Sequence, residues 1–175
     1  MKVCNIKISM QFKNKIFPKH KSNKKKIFKH HNWTITIYYH TPSLINATGL
    51  KSKEEIKRVI AYLEQRYKNI CLSHKIDSTM ISHRDNKLIQ MNEVQPCLKT
   101  LSTEYYCDYE PEIFNGIFLK PICREYPTIN LFYTGSFQLL GGRSFDKIEE
   151  AITIIKSVIK KCETKQDGMC NLKTN

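Results

Sequence analysis

The stretch that decides the fold of this chain is Phe137-Gln138-Leu139-Leu140-Gly141-Gly142-Arg143-Ser144, which leads into Asp146-Lys147-Ile148. The same order of residue types occurs 92 residues earlier, as Ile45-Asn46-Ala47-Thr48-Gly49-Leu50-Lys51-Ser52 before Glu54-Glu55-Ile56. Each copy predicts a short apolar strand, a glycine, a basic residue, a serine helix cap and an amphipathic helix. Two copies are too few for a solenoid. They predict one domain with a pseudo-twofold axis, which suits a pseudo-symmetric partner such as duplex DNA.

The charge of the chain points to an anionic partner. The 175 residues suffice for one domain or two small fused halves, and their net charge is +13. The first acidic residue is Glu54, whereas lysines dominate a basic tract at residues 13–31. That tract is either a solvated basic segment or a site that attracts phosphates. Nucleic acid or another anionic surface is the expected partner.

Seven cysteines, an odd number without any pair at CxxC spacing, indicate reduced thiols in an intracellular protein. Lysines interrupt the apolar residues near the N-terminus, so no secretory signal is expected there. No apolar run reaches the roughly 18 residues that a membrane span requires. Cys107 and Cys123 lack the spacing of a zinc site, and we expect neither metal nor cofactor.

The alternation of apolar and polar residues predicts an α+β domain with an antiparallel sheet and helices on one of its faces. Strands are predicted at residues 3–12, 33–39, 44–47, 71–80, 113–119, 128–133 and 137–140. One helix is predicted to begin after Ser52, with Glu55 completing a capping box, one to span residues 86–98, and one to begin after Ser144. Depending on register, five apolar residues either lie on the face without helices, where they would mark a binding surface, or fill the core: Ile45, Phe114, Phe132, Phe137 and Leu139.

Three segments of the second half resemble the second repeat of the TATA-box-binding protein family: Tyr109-Glu110-Pro111-Glu112-Ile113-Phe114-Asn115-Gly116, Ile129-Asn130-Leu131-Phe132-Tyr133-Thr134-Gly135, and Gly141-Gly142-Arg143. The first segment departs from the family pattern at Asn115, where the family has proline. The first half is similar to the family's first repeat through Ala47-Thr48-Gly49-Leu50-Lys51-Ser52-Lys53-Glu54-Glu55, and more weakly through Cys4-Asn5-Ile6.

The resemblance implies a pseudo-twofold saddle of curved antiparallel sheet with helices on its convex face. It implies a divergent first half-repeat at residues 1–70, a second at 71–162 and a polar tail at 163–175. The concave sheet of that family straddles the minor groove of A·T-rich DNA and kinks it by inserting a pair of phenylalanines per repeat. Phe114 and Phe132 match the two insertion positions of the second repeat, and Lys120 matches a basic residue on the strand after Phe114.

Further DNA-binding residues follow from the same resemblance. Asn5 occupies the family's central asparagine position, for which we expect His74 as the equivalent in the second half. Thr48 matches the threonine before the glycine of the first repeat, and Leu140 replaces it in the second. The family's phosphate-binding lysines correspond to Lys51 and Arg143.

The first repeat departs most from the family at its insertion positions. The 92-residue offset places His40 opposite Phe132, so that an imidazole replaces one ring. The other ring is expected from Phe28 or Phe17, between which the sequence does not decide. We therefore expect an asymmetric saddle, with a well-formed phenylalanine pair at one end and a more electrostatic grip at the other.

The implied function is that of a general transcription initiation factor without catalytic activity, which recruits transcription factors of the B type and the RNA polymerase machinery. The expected location is the nucleus, or a cytoplasmic viral factory if the source is viral. Neither a membrane nor a small-molecule substrate is expected. Two alternatives remain open: an accessory domain of an enzyme, such as those fused to DNA glycosylases and ribonucleases H, and a regulator that binds transcription factors or non-TATA DNA without TATA recognition.

Overall fold

The structure is a computed structural model that describes residues 1–16, 25–38, 40–41 and 43–163. Within these residues the chain forms nine strands and three α-helices. The strands are β1 (Lys2–Phe12), β2 (Lys25–His30), β3 (Trp33–Tyr38), β4 (Leu44–Leu50), β5 (Cys71–His83), β6 (Tyr105–Asp108), β7 (Ile117–Pro121), β8 (Thr128–Leu131) and β9 (Phe137–Gly142). The helices are α1 (Lys53–Tyr67), α2 (Val94–Leu101) and α3 (Phe145–Cys162).

All nine strands belong to one open antiparallel sheet in the order β2-β3-β4-β1-β5-β9-β8-β7-β6. The two halves of the chain meet at its centre, where β1 pairs with β5. Ile6 pairs with Thr79, and the flanking pairs Asn5–Met80 and Lys7–Ser78 exchange places when the halves are interchanged. The pseudo-twofold axis therefore passes through the Ile6–Thr79 pair, which confirms the predicted α+β fold with twofold repetition.

Each half has its own hydrophobic core, in which the helices cover one face of the sheet. Ile45, Phe137 and Leu139 are fully buried in these cores. Of the two alternatives that the sequence left open for these three residues, the core is therefore the correct one, because each alternates along its strand with a more exposed residue that takes the face without helices. Phe114 and Phe132, by contrast, are only half-buried and belong to neither core.

The serine caps were predicted for both long helices, and only the first is formed by its side chain. Ser52 Oγ accepts a hydrogen bond from the backbone N–H of Glu55 at 3.1 Å. Glu55 Oε2 in turn accepts one from the backbone N–H of Lys51 at 2.8 Å. Ser144 precedes α3 in an extended conformation but makes no capping bond through its side chain.

Two predicted boundaries in the second half shift along the chain. The helix predicted at residues 86–98 is α2, which starts at Val94 after a short 3₁₀ turn at Met91–Glu93. Pro96 explains this later start, since a proline fits the first turn of an α-helix but disrupts hydrogen bonding in the helix interior. The strand predicted at residues 113–119 is β7, which starts only at Ile117. It starts later because residues before it form a tight turn that ends at Gly116.

The six cysteines that the structure describes are all free thiols, and Cys170 lies outside the described residues. Cys97 and Cys162 lie together between α2 and α3, with their sulfur atoms 2.9 Å apart. Across the described residues no cluster of side chains has the composition of a metal site. The helices in this part of the chain are all too short or too polar to cross a membrane.

Candidate nucleic-acid interface

The side of the sheet opposite to the helices, here called the open face, carries mainly polar and half-buried residues. Cross-strand partners share a face, so the buried residues of each strand identify which neighbours point to the other side. Described members of the open face include Cys4, Asn5, Lys7, Ser9, Gln11, Thr34, Thr36, Tyr38, Asn46, Thr48, Asp77, Ser78, Met80, Ser82, Asp108, Phe118, Lys120, Asn130, Phe132, Gln138 and Leu140.

Two phenylalanines form the most distinctive feature near the end of the second half. The rings of Phe114 and Phe132, here called the ring pair, have centroids 5.8 Å apart and planes inclined by 56°. Gly116 lies directly beside them, and a Cβ added there would stand 2.9 Å from Phe114 Cε1 and 3.1 Å from Phe132 Cδ1. A glycine is therefore needed for both rings to pack over the backbone.

Two turns hold the ring pair in place. The backbone N–H of Phe114 donates to the carbonyl of Glu110 at 2.9 Å, which closes the turn before β7. The backbone N–H of Phe132 donates to the carbonyl of Ser136, and Gly135 donates back to Phe132, both at 2.9 Å. Gly135 adopts a φ of 73°, which favours glycine. The residues that carry the family resemblance therefore support the ring pair.

Asn5 and Thr48 lie close together on the open face of the first half. Asn5 Oδ1 accepts a hydrogen bond from the backbone N–H of Gly49 at 2.8 Å, immediately after Thr48. This bond occupies the amide oxygen and orients the side chain, so that the amide N–H groups are left for another acceptor. In the second half Leu140 takes the position of Thr48 and pairs with Met80, the equivalent of Lys7, which makes that surface apolar.

The basic residues predicted to contact phosphates are exposed at the ends of two strands. Lys51 and Arg143 each lie two residues after a glycine with positive φ, at 90° for Gly49 and 82° for Gly141. Neither makes an ion pair within the described part of the chain. Lys120 differs, because its ammonium lies 3.7 Å from a carboxylate oxygen of Asp108 on the neighbouring strand.

Phe28 does not lie on the open face. It pairs with the buried Ile35 of β3, so both side chains point towards the helices. The guanidinium of Arg66, on α1, lies 5.2 Å from the centroid of the Phe28 ring. The prediction that Phe28 inserts into DNA was therefore wrong, and Phe17, the other candidate, lies outside the described residues. The basic tract itself contributes β2, with residues 17–24 outside the described part.

Tyr38, not His40, is the equivalent of Phe132. Thr34 pairs with Thr48, as Thr128 pairs with Leu140, so equivalent residues of β3 and β8 are 94 positions apart and not 92. The hairpin that follows β3 is longer, which accounts for the difference. Tyr38 is half-buried, and its ring meets the exposed His40 ring edge-on, with centroids 5.6 Å apart.

Ser78, not His74, is the equivalent of Asn5. Ile8 pairs with Ala47, as Ile81 pairs with Leu139, which places equivalent residues of β1 and β5 73 positions apart. His74 pairs instead with the buried Met10 and shares the helix side of the sheet with it. Tyr38, Ser78 and Asp77 are not among the residues predicted from the sequence, although the aromatic Tyr38 ends an evident strand.

The open sheet, the helices on its other side and the ring pair together define a two-repeat α+β saddle. A family model described as "Transcription factor TFIID (or TATA-binding protein, TBP)" matches residues 90–162. Among solved structures, the Methanococcus jannaschii TBP is similar with a TM-score of 0.64 and 17% identity, covering 91% of this chain and 98% of that chain. Among curated proteins no sequence matches. Residues 90–162 are therefore similar in sequence to the TATA-box-binding protein family, and the fold over both halves is similar to that of an archaeal TBP.

Proposed function

We propose that this protein is a general transcription initiation factor that binds A·T-rich promoter DNA through its open face and bends it at the minor groove. The observation that carries the proposal is the ring pair, which stands on the open face and outside both hydrophobic cores. A half-buried aromatic pair at the rim of a sheet matches the apolar side chains that minor-groove proteins insert between base steps.

Insertion of the ring pair would replace base stacking with ring–base contact. Unstacking costs a few kcal/mol per base step, which is offset when the bent duplex contacts more of the protein surface. The net charge of +13 supplies attraction to the phosphates. Lys51 and Arg143, exposed at equivalent positions of the two halves, supply phosphate contacts on both sides of the pseudo-twofold axis.

The two ends of the saddle would act differently on the duplex. The second half presents two phenylalanines, whereas the described open face of the first half presents Tyr38 beside His40. A tyrosine and an imidazole carry polar groups, which makes insertion between bases more costly than for two phenylalanine rings. The kink is therefore expected to be sharper at the Phe114 end, with a more electrostatic grip at the other.

The helix side is the surface we propose for protein partners, namely transcription factors of the B type and the RNA polymerase machinery. With DNA on the open face, α1 and α3 remain accessible and turn charged residues outward, among them Arg58 and Lys156. We propose a role without catalysis. Glu110 and Glu112, the two carboxylates of the turn before β7, are both exposed and flank Pro111, so we propose for them a structural role in this turn.

A second function, that of a regulator without TATA recognition, is favoured by two features of the open face, one in each half. The position equivalent to Phe132 holds a tyrosine, and Asp77 places a carboxylate on the open face. A gel-shift assay with TATA and scrambled duplexes over a salt series separates the two functions. The proposed initiation factor binds the TATA duplex at least tenfold more tightly at every salt concentration. Equal binding of both duplexes supports a regulator that binds non-TATA DNA. No binding of either duplex contradicts the initiation factor and leaves a regulator that binds transcription factors alone.

A further inference from the structure

Two contacts on the open face are related by the pseudo-twofold axis but differ in chemistry. Cys4 Sγ lies 3.2 Å from Ser82 Oγ, and Ser9 Oγ lies 2.5 Å from Asp77 Oδ2. The strand register places equivalent residues of β1 and β5 73 positions apart. Cys4 is therefore the equivalent of Asp77, and Ser9 is the equivalent of Ser82. One half therefore has a thiol where the other has a carboxylate.

Asp77 belongs to the open face and is partly accessible. It occupies a bulge of β5 between the Lys7–Ser78 and Ile8–Ile76 pairs. Its Oδ2 atom contacts Ser9 and lies 4.0 Å from the ammonium of Lys7, and its side chain is 22% exposed. Its Oδ1 atom accepts no hydrogen bond from any described residue, so one carboxylate oxygen is left for a donor from outside the chain.

The floor of the minor groove distinguishes base pairs by one donor. A·T pairs present only the acceptors adenine N3 and thymine O2, whereas a G·C pair adds the exocyclic N2 amine of guanine. An ionised carboxylate has acceptors and no donor. Opposite an A·T pair it would lose water without gaining a hydrogen bond, and opposite guanine it gains one.

We propose that Asp77 accepts a hydrogen bond from the N2 amine of a guanine in the minor groove, and that this contact selects one G·C pair on one side of the centre of an otherwise A·T-rich site. The inference rests on the proposed DNA binding by the open face. Because Cys4 replaces the carboxylate in the other half, the preference is one-sided. It therefore fixes the direction in which the pseudo-symmetric saddle lies on its site.

A purely structural role for Asp77 makes a different prediction. If the carboxylate only holds Ser9 and balances the charge of Lys7, its removal changes stability and overall affinity but no base preference. Base preference is therefore the decisive readout.

The experiment selects bound duplexes from a randomised pool with the whole chain, and then measures affinities for the selected site. The expected consensus is A·T-rich with one G·C pair off centre. Replacing that guanine with inosine, which lacks only the N2 amine, weakens wild-type binding about tenfold. In Asp77→Asn the guanine and inosine duplexes are expected to bind equally, because the one amide oxygen stays with Ser9 and an NH2 donor takes the place of the free carboxylate oxygen. Asp108→Asn, which removes an open-face carboxylate already paired with Lys120, keeps the tenfold difference.

The mirrored variant Cys4→Asp supplies a positive test, because it should add a second preferred G·C pair on the other side of the site centre. Thermal unfolding identifies any variant that does not fold, and Asp77→Asn then decides alone, since its amide can still accept from Ser9. A wild-type consensus without guanine preference, or equal binding of guanine and inosine duplexes, overturns the inference while leaving DNA binding intact. A pool from which no duplex is enriched contradicts the proposed function itself.

Discussion

The ring of Phe114 lies against that of Phe132, at 5.8 Å between centroids, beside the backbone of Gly116. The first ring comes from the turn before β7 and the second from the end of β8, so the pair depends on the packing of two separate segments. Aromatic pairs at this distance favour inclined arrangements, as observed here. Their edges are available to a partner because neither ring is part of a core.

Gly116→Ala should disturb this pair. The added Cβ would stand 2.9 Å from the carbonyl oxygen of Leu131 and from Phe114 Cε1, so both must move. We expect the free energy of unfolding in urea to fall by about 1–3 kcal/mol, the usual cost of overpacking. In the control Gly141→Ala the added Cβ meets no atom within 4 Å, so the only strain comes from an alanine at a backbone φ of 82°. That control should lose stability without reducing DNA bending, and equal bending by Gly116→Ala and wild type would contradict the packing argument.

Lys51→Ala and Arg143→Ala should each weaken DNA binding for all sequences alike. If each side chain neutralises one phosphate, the slope of log K against log salt becomes shallower by about 0.9 per variant. Fluorescence anisotropy over a salt series measures this slope. Lys156→Ala, which removes an equally exposed charge from α3 on the helix side, should leave the slope unchanged. Unchanged slopes in both test variants would show that these residues do not contact phosphates.

Tyr126→Phe should raise the pKa of Glu150. Hydrogen bonds from the Tyr126 hydroxyl, and then from the Lys147 ammonium, hold the pKa of this carboxyl below its ordinary value of 4.5. A depressed pKa means that the contact stabilises the fold above pH 4.5 and loses this effect as the pH falls through the folded-state pKa. An NMR titration of Glu150 should move towards 4.5 in Tyr126→Phe and stay unchanged in the control Tyr133→Phe. An unmoved titration in Tyr126→Phe would mean that the hydroxyl is not the main cause.

The second half could be predicted well from the sequence because its signals are local. The turn before Phe114, the glycine beside the rings and the glycine after Phe132 all lie within a few residues of the rings that they support. Such local geometry is encoded in short segments, so a resemblance over those segments places both rings on the same face.

The first half could not be placed in the same way, because equivalence there depends on pairing between distant strands. A longer hairpin after β3 shifts the match from His40 to Tyr38. The chain between β1 and β4 is shorter than that between β5 and β9, so equivalent residues of β1 and β5 are 73 positions apart and Asn5 matches Ser78 instead of His74. A shift of one residue also turns a side chain to the other face, which is why Phe28 lies under α1. Neither length change can be located from the repeat alone.

The bend of bound DNA tests the central claim most directly. Fluorescence energy transfer between the ends of a TATA duplex would compare wild type with Phe114→Ala/Phe132→Ala, and with Tyr62→Ala, which removes a ring from the helix side. Insertion of the ring pair predicts a sharp bend for wild type and Tyr62→Ala and a clearly smaller bend for Phe114→Ala/Phe132→Ala at saturating protein. The same bend angle in all three proteins would contradict insertion of the ring pair.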